Sequence, residues 1–180
     1  DVDMVSFTGS TLAGVKVAQA AAPGVKRVCQ ELGGKSPYII APGADLSAAV
    51  RYGVEDVMIN SGQTCCALTR MLVPAESLKE AEEIAAQVAA EWQPGNPLDP
   101  NTMLGPVSSH KQQKRIAGFI QQGINEGAKL VCGGTAVHAS LQQGAYVAPT
   151  IFSNVSNDMT IAREEIFGPV LCIMPYQSLN

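Results

Sequence analysis

Short apolar runs alternate with longer helical segments along the chain, and this alternation restricts the fold more than any other feature. The apolar runs predict strands at 2–7, 25–30, 38–41, 69–73, 129–132, 146–152 and 170–174. The segments between them predict helices at 11–22, 45–60, 77–92 and 108–126, the first two capped by Ser10 and Asp45. Strands that are apolar throughout are typical of parallel sheets. We therefore predict an α/β fold, with a mostly parallel sheet and helices on both faces.

Ligands in sheets of this kind bind at the carboxyl ends of the strands, in the loops that lead to the helices. Residues 8–10 and 31–34 each follow a predicted strand and contain glycine. We therefore expect both segments to face a ligand.

The composition argues against several kinds of partner. Apolar residues make up 46% of the 180 residues and charged residues 16%, which is typical of a soluble globular protein. The formal net charge is −4 and no basic block occurs, so nucleic acid and anionic membranes are not expected as partners. No apolar run approaches the roughly 18 residues that a membrane-spanning helix needs.

The five cysteines do not have the spacing of a disulfide framework, and two of them, Cys65 and Cys66, are adjacent. This usage favours a reducing compartment, and we predict a cytoplasmic location. A zinc site is disfavoured because His110 and His138 lie in polar stretches and no C-x-x-C pair occurs. We therefore predict no metal site.

The turn at Gly9 and Ser10 leads from a predicted strand into the amino end of a predicted helix. Free backbone N–H groups and the helix dipole at such a place suit a phosphate or pyrophosphate, and the Ser10 hydroxyl can add a hydrogen bond. The segment matches neither the dinucleotide fingerprint nor a P-loop. The alternative is a tight turn with Ser10 as a simple cap.

Glu31 ends a predicted strand and is followed by Leu32 and two glycines. We expect its carboxylate to be partly buried, which would raise its pKa toward neutrality and suit a general base. The glycines allow the backbone to approach a ligand closely. The alternative is an ion pair with a neighbour such as Lys35.

Cys65 and Cys66 follow Gly62, Gln63 and Thr64 in a predicted break between a helix and a strand. A thiolate exposed there is a strong nucleophile, and backbone N–H groups beside it can stabilise an oxyanion. Adjacent side chains point in different directions, so we expect only one thiol to react. The alternative is a pair of small buried apolar residues.

Residues 163–170 place Glu164 and Glu165 before Phe167 and a Gly-Pro turn. One of the carboxylates can bind a pair of ribose hydroxyls, and the aromatic ring can pack against a flat ligand. The alternative is a charged surface turn in which Phe167 is the anchor to the core.

In this order, the four segments resemble the signatures of the aldehyde dehydrogenase superfamily, of the NAD(P)-dependent, hydrolytic type. The matching segments are 7–10, 31–37, 62–65 and 164–170, and the stretches 104–107 and 149–151 also look similar to that family. The resemblance covers the whole chain, and the set is more specific than any single motif. It favours the catalytic interpretation of Glu31 and Cys65 over the structural alternatives.

The resemblance implies a role for each matching residue. Cys65, and not Cys66, would be the nucleophile, and Glu31 would be the general base. The implied contacts to NAD or NADP come from Gly9, Ser10, Leu32, Glu165 and Phe167. Cys65 would add to the aldehyde as a thiohemiacetal, hydride transfer would leave a thioester, and Glu31 would activate the water that releases the acid.

The resemblance also implies a longer chain. Residues 1–31 would be the C-terminal piece of a cofactor-binding domain, and residues 32–180 a catalytic domain that is incomplete at its C-terminal end. We expect the isolated piece to be inactive and the full-length protein to be a homodimer or homotetramer with a small-molecule aldehyde as its substrate. Three alternatives stay open: a coenzyme A-acylating relative, against which Glu31 argues; a non-catalytic fragment of the same fold; and Cys65 as a redox-sensitive thiol only.

Overall fold

The computed structural model describes residues 2–179. Its contacts divide the chain into two compact units, Asp1–Gly34 and Lys35–Asn180. The assignment of these units to a cofactor domain and a catalytic domain stays a prediction. None of the helices within residues 2–179 is long and apolar enough to cross a membrane.

The first unit contains one strand–helix–strand arrangement. Strands β1 (Met4–Thr8) and β2 (Arg27–Glu31) pair in parallel, with Thr8 opposite Glu31. Helix α1 (Thr11–Ala21) connects them, and the Ser10 hydroxyl oxygen accepts a hydrogen bond from the Ala13 N–H at 3.3 Å. This contact confirms the predicted cap.

The second unit contains a five-stranded sheet with the order β3-β4-β7-β6-β5. Its strands are β3 (Pro37–Ile39), β4 (Arg70–Pro74), β5 (Lys129–Cys132), β6 (Thr150–Ser153) and β7 (Val170–Tyr176). Neighbours pair in parallel, except that the edge strand β5 runs antiparallel to β6. The predicted, mostly parallel sheet is confirmed.

Helices cover both faces of this sheet, as predicted. They are α2 (Leu46–Met58), α3 (Leu78–Glu91), α4 (His110–Asn125) and α5 (Thr160–Arg163). In β7, Leu171 and Ile173 pack into the core with α2 and α3, whereas Val170 and Cys172 pack into the core with α4 and α5. Because successive side chains of a strand point to opposite faces, a strand buried on both faces must be apolar throughout.

Two local predictions differ from the structure. The strand expected at 146–152 begins only at Thr150, because Pro149 has no N–H for the sheet and the Tyr146 carbonyl accepts instead from the Gln113 amide at 2.7 Å. The short helix α5 was not predicted. Its first residue, Thr160, donates to the carboxylate of Glu126 through its backbone N–H at 2.7 Å.

Candidate active site

The turns that carry Cys65 and Glu165 lie at the same edge of the larger sheet. The Cys65 turn precedes β4 and the Glu165 turn precedes β7, and these strands are parallel neighbours. Both turns are therefore at the amino ends of their strands. In the first unit, Gly9 and Glu31 lie at the carboxyl ends of β1 and β2, as predicted. The strand ends of the Cys65 and Glu165 turns were not predicted.

Cys65 and Cys66 occupy the middle of a turn that closes through a hydrogen bond from the Ala67 N–H to the Thr64 carbonyl at 3.2 Å. Both thiols are exposed, which contradicts the alternative of a buried apolar pair. Within residues 2–179, the N–H of Cys65 donates to no acceptor. The turn therefore offers an accessible sulfur next to a backbone donor that is available for an oxyanion.

Three consecutive residues before this turn have a left-handed backbone. The φ angles are 52° at Asn60, 55° at Ser61 and 72° at Gly62. Ser61 is buried, and its hydroxyl donates to the Gly105 carbonyl at 2.7 Å. Left-handed backbone at a residue other than glycine is unfavourable and persists where surrounding contacts impose it, often at functional sites.

Gln63 holds this left-handed segment in place, a role that the sequence did not predict. Its amide nitrogen donates to the Asn60 carbonyl at 3.1 Å, and its amide oxygen accepts from the Ser108 N–H at 2.9 Å. In return, the Asn60 amide donates to the Gln63 carbonyl at 3.0 Å. The Cys65 turn is thus tied to the segment that leads into α4.

Two of the predicted motifs meet at Gly62. A Cβ atom on Gly62 would lie 2.0 Å from the carbonyl oxygen of Gly168. The backbones before the Cys65 turn and within the Glu165 turn therefore touch directly, and only glycine allows this approach.

The Glu165 turn joins α5 to β7. Ile166 is buried, Glu165 and Phe167 are half-buried, and Phe167 has a left-handed φ of 58°. The side chains of Gln112 and Arg115 in α4 donate to the backbone carbonyls of this turn. Phe167 is therefore only partly exposed to solvent. Gln112 and Arg115 were not among the predicted site residues.

Lys35 has a buried ammonium group next to this region. Its Nζ atom contacts no hydrogen-bond acceptor within residues 2–179. Desolvation by burial lowers the pKa of Lys35; the nearby Arg70 adds to this shift, whereas Cys172 and Glu165 oppose it. Lys35 therefore lies near Glu165 with its charged form disfavoured by burial, whereas the sequence suggested it only as a possible ion-pair partner of Glu31.

The remaining cysteines of the second unit are less suited to nucleophilic chemistry. Cys172 is buried and its thiol donates to the Ile161 carbonyl at 3.3 Å. Burial raises the pKa of both Cys172 and Cys132, which disfavours their thiolates. Exposed thiols of this unit are found at Cys65 and Cys66.

The predicted residues of the first unit gather at the carboxyl ends of β1 and β2. The Gly9 N–H donates to the Glu31 carbonyl at 3.0 Å, so the two turns are adjacent. Glu31 is exposed in this chain, and the expectation of partial burial was wrong. Glu31 belongs to the first unit and Cys65 to the second, so their action as a pair stays a prediction.

Leu32 is half-buried, and Gly14 of α1 lies under its side chain. A Cβ atom on Gly14 would lie 2.6 Å from Cδ2 of Leu32. The close packing of this helix on the segment after β2 holds the Leu32 backbone beside the Gly9 turn.

Comparison with known proteins identifies strong similarities over the whole chain. The family model described as the aldehyde dehydrogenase family matches residues 1–180. The 3-succinoylsemialdehyde-pyridine dehydrogenase of a Pseudomonas species is 53% identical over 180 residues, which are 100% of this chain and 38% of that protein.

Solved structures show the same similarity. Aldehyde dehydrogenase C of Pseudomonas syringae, a cysteine-to-alanine mutant in complex with NAD+ and octanal, is 52% identical with a TM-score of 0.96, over 98% of this chain and 36% of that one. A Mycobacterium tuberculosis aldehyde dehydrogenase in complex with NAD+ is 43% identical with a TM-score of 0.95, over 99% of this chain and 37% of that one. The chain thus spans little more than a third of the length of these proteins.

Proposed function

Since this chain belongs to the aldehyde dehydrogenase family, we propose that the whole protein oxidises an aldehyde to a carboxylic acid with NAD+ or NADP+, through a covalent intermediate on Cys65. The observation that carries this proposal is the exposed Cys65 thiol in a turn beside the Glu165 turn, at one edge of the sheet. Octanal and NAD+ are bound by the similar Pseudomonas syringae structure, and they support an aldehyde and a nicotinamide cofactor as ligands here.

We propose that Gly9, Ser10, Leu32, Glu165 and Phe167 contact the cofactor in the whole protein. The fit is supported in the first unit by a glycine turn and an exposed serine at the amino end of α1, where an anionic phosphate is favoured. In the second unit, a half-buried carboxylate and a half-buried ring suit a ribose and a flat base. When bound, NAD(P)+ supplies the hydride acceptor of the reaction.

The proposed chemistry starts at the Cys65 sulfur. Its thiolate adds to the aldehyde carbon, and the negative charge on the former carbonyl oxygen is stabilised by the Cys65 N–H. Loss of a hydride from that carbon converts the thiohemiacetal into a thioester. Glu31 then takes a proton from water, whose oxygen adds to the thioester carbon, and the Cys65 thiolate leaves as the acid forms.

Hydrolysis is favoured over acyl transfer to coenzyme A because Glu31 is present to activate water. Within this proposal, residues 1–31 are the end of the cofactor-binding domain and residues 32–180 belong to the catalytic domain. The whole protein is proposed to be a cytoplasmic homodimer or homotetramer.

The decisive experiment uses the full-length protein and a panel of aldehydes with NAD+ or NADP+, and it follows the absorbance of the reduced cofactor. Cys65→Ser is expected to lower kcat about 10⁴-fold or more, because a serine hydroxyl is far less ionised than a thiol. Cys66→Ser is the matched control, since it changes the neighbouring exposed thiol, and it is expected to keep activity. Equal activity of the Cys65→Ser protein and the wild type would reject the proposal.

The same assay with Glu31→Gln tests the second stage. The variant is expected to form the thioester but to hydrolyse it slowly, so an acyl group should remain on Cys65. Intact-protein mass spectrometry after mixing with aldehyde and cofactor would detect this adduct. Unchanged turnover of the Glu31→Gln protein would exclude Glu31 as the base.

A further inference from the structure

Helix α4 binds the Glu165 turn through two side chains that lie on one helical face. Gln112 Nε2 donates to the carbonyls of Ile166 at 3.2 Å and Phe167 at 2.8 Å. Arg115 donates from Nη1 to the Ile166 carbonyl at 2.8 Å and from Nη2 to the Glu165 carbonyl at 2.7 Å. We call Gln112 and Arg115 the turn clamp.

The turn clamp provides hydrogen bonds that regular structure cannot provide here. The turn lies between the end of α5 and the start of β7, so its carbonyls are outside both helix and strand. The left-handed backbone at Phe167 is unfavourable in conformational free energy, so other contacts must impose it. Three consecutive carbonyls held from one helix define the path of the backbone on either side of Phe167.

The two clamp side chains share one face of α4, and Arg115 has a further contact. Residues three apart in a helix share a face, which allows both side chains to reach the same turn. The Arg115 guanidinium also lies 4.8 Å above the centre of the Phe119 ring, in the geometry of a cation–π contact. The two side chains therefore approach the turn from a well-defined position on α4.

We infer that Gln112 and Arg115 are positioning residues for the cofactor, because they orient the Glu165 carboxylate by fixing the backbone that carries it. The inference rests on the proposed function, in which Glu165 binds the nicotinamide ribose. A hydrogen bond to a ribose needs its acceptor in a narrow range of distance and angle, so a loose turn weakens cofactor binding more than it slows chemistry.

The test measures the Kd for NAD+ and NADP+ by titration calorimetry, together with KM and kcat, on the full-length protein. At metal sites, loss of a group that orients a ligand residue typically weakens binding about tenfold to a hundredfold, and we expect an effect at the lower end of that range here. Arg115→Met is expected to raise the Kd and KM for the cofactor about tenfold, which corresponds to about 1.4 kcal/mol, and to change kcat less than about threefold.

Two matched controls separate the turn clamp from general loss of polar contacts. Arg51→Met removes an arginine that pairs with Glu55 and Glu91, away from the turn. Gln113→Met removes the neighbouring glutamine of α4, which donates to the Tyr146 carbonyl. Both controls are expected to keep the wild-type Kd for the cofactor.

A double-mutant cycle with Glu165→Gln shows whether the clamp acts through Glu165. If it does, Arg115→Met changes the Kd less than about threefold once Glu165 is already replaced. Equal effects of Arg115→Met in both backgrounds would overturn the inference, as would a fall in kcat with an unchanged Kd. If Arg115→Met does not fold, Gln112→Met carries the same test by the same criterion.

The proposed function and this inference fail in different ways. A wild-type protein that binds neither cofactor and oxidises no aldehyde would overturn both. A wild-type protein that oxidises aldehydes, with additive effects at Arg115 and Glu165, would overturn the turn clamp alone.

Discussion

Gly62 joins two parts of the candidate active site at the scale of a single residue. It is the last of three left-handed residues before the Cys65 turn, and its Cα faces the Gly168 carbonyl without room for a Cβ. Left-handed φ angles at Asn60 and Ser61 cost about 1–3 kcal/mol each, so the contacts made by Ser61 and Gln63 must outweigh that strain. The position of Cys65 therefore depends on a backbone that relaxes if these contacts are lost.

Gly62→Ala is expected to lower the free energy of unfolding by about 3 kcal/mol or more, because the new methyl group would overlap Gly168 and favour the wrong φ. Aldehyde oxidation should fall with it. Thermal unfolding and turnover of the full-length protein measure both effects.

Gly118→Ala is the matched control for that change. Gly118 lies on the exposed side of α4 with nothing within 4 Å of a new Cβ. Alanine there should stabilise the helix by about 0.5–1 kcal/mol. If Gly62→Ala matched the Gly118→Ala protein in stability and activity, the direct backbone contact would not matter.

Glu31 shows why the burial of a single residue is difficult to predict from sequence. The sequence predicts partial burial of Glu31, because this residue ends an apolar strand. In the structure, β2 alternates between half-buried and exposed residues because successive side chains point to opposite faces. Gln30 faces α1, where it donates to the Gly14 carbonyl, and Glu31 is on the exposed side together with Cys29. Which side of a strand is covered depends on what packs on it, and the strand's own sequence does not determine this.

At the scale of elements, the missed helix α5 depends on a distant residue. Four residues are too few to show helical periodicity, and so short a helix is unstable without support. The carboxylate of Glu126, at the end of α4, accepts from the Thr160 N–H at 2.7 Å and from its hydroxyl at 2.6 Å. The sequence around Thr160 contains no signal of this contact.

Helix α3 is linked to the edge of the sheet through a buried carboxylate. Glu82 accepts from the Ser153 hydroxyl of β6 at 2.6 Å and from the Lys129 ammonium of β5. Desolvation opposes ionisation of Glu82, but the hydrogen bonds from Lys129 and Ser153 outweigh it and lower its pKa below the ordinary 4.5. The ionised form is thus favoured by folding.

Glu82→Gln is expected to lower the free energy of unfolding by about 1–3 kcal/mol at neutral pH. Because the folded-state pKa of Glu82 is depressed, its contribution is present above the ordinary pKa and is lost as the pH falls through the folded value. Melting temperatures of variant and wild type should therefore converge below about pH 4.5. Glu83→Gln, an exposed neighbour on α3, should have little effect at either pH.

At the scale of the whole molecule, the order of the strands assembles the candidate site. The Cys65 and Glu165 turns are a hundred positions apart in sequence and precede β4 and β7, which become parallel neighbours. Between them in sequence lie α3, α4 and the antiparallel pair of β5 and β6. The sheet therefore sets the distance between the two turns.

The stability of that sheet depends on residues buried between its face and the helices. Phe152 in β6 is 0% exposed and packs into the core with α4 and α5. Phe152→Ala should lower the free energy of unfolding by about 3–5 kcal/mol through lost burial and a cavity. Leu98→Ala, at a residue that is 88% exposed, should change it by less than about 0.5 kcal/mol, and thermal unfolding distinguishes the two.

The sequence alone determined the alternation of strands and helices and the helix caps at Ser10 and Asp45. Its four motifs also indicated membership of the aldehyde dehydrogenase family. These features are local, because periodicity and capping involve residues a few positions apart. Only the tertiary structure decided at which strand ends the Cys65 and Glu165 turns lie. It also decided that the Gly62 backbone contacts Gly168 and that Gln112 and Arg115 hold the Glu165 turn. Those contacts join residues about 50 to 100 positions apart, and packing of the whole chain selects them.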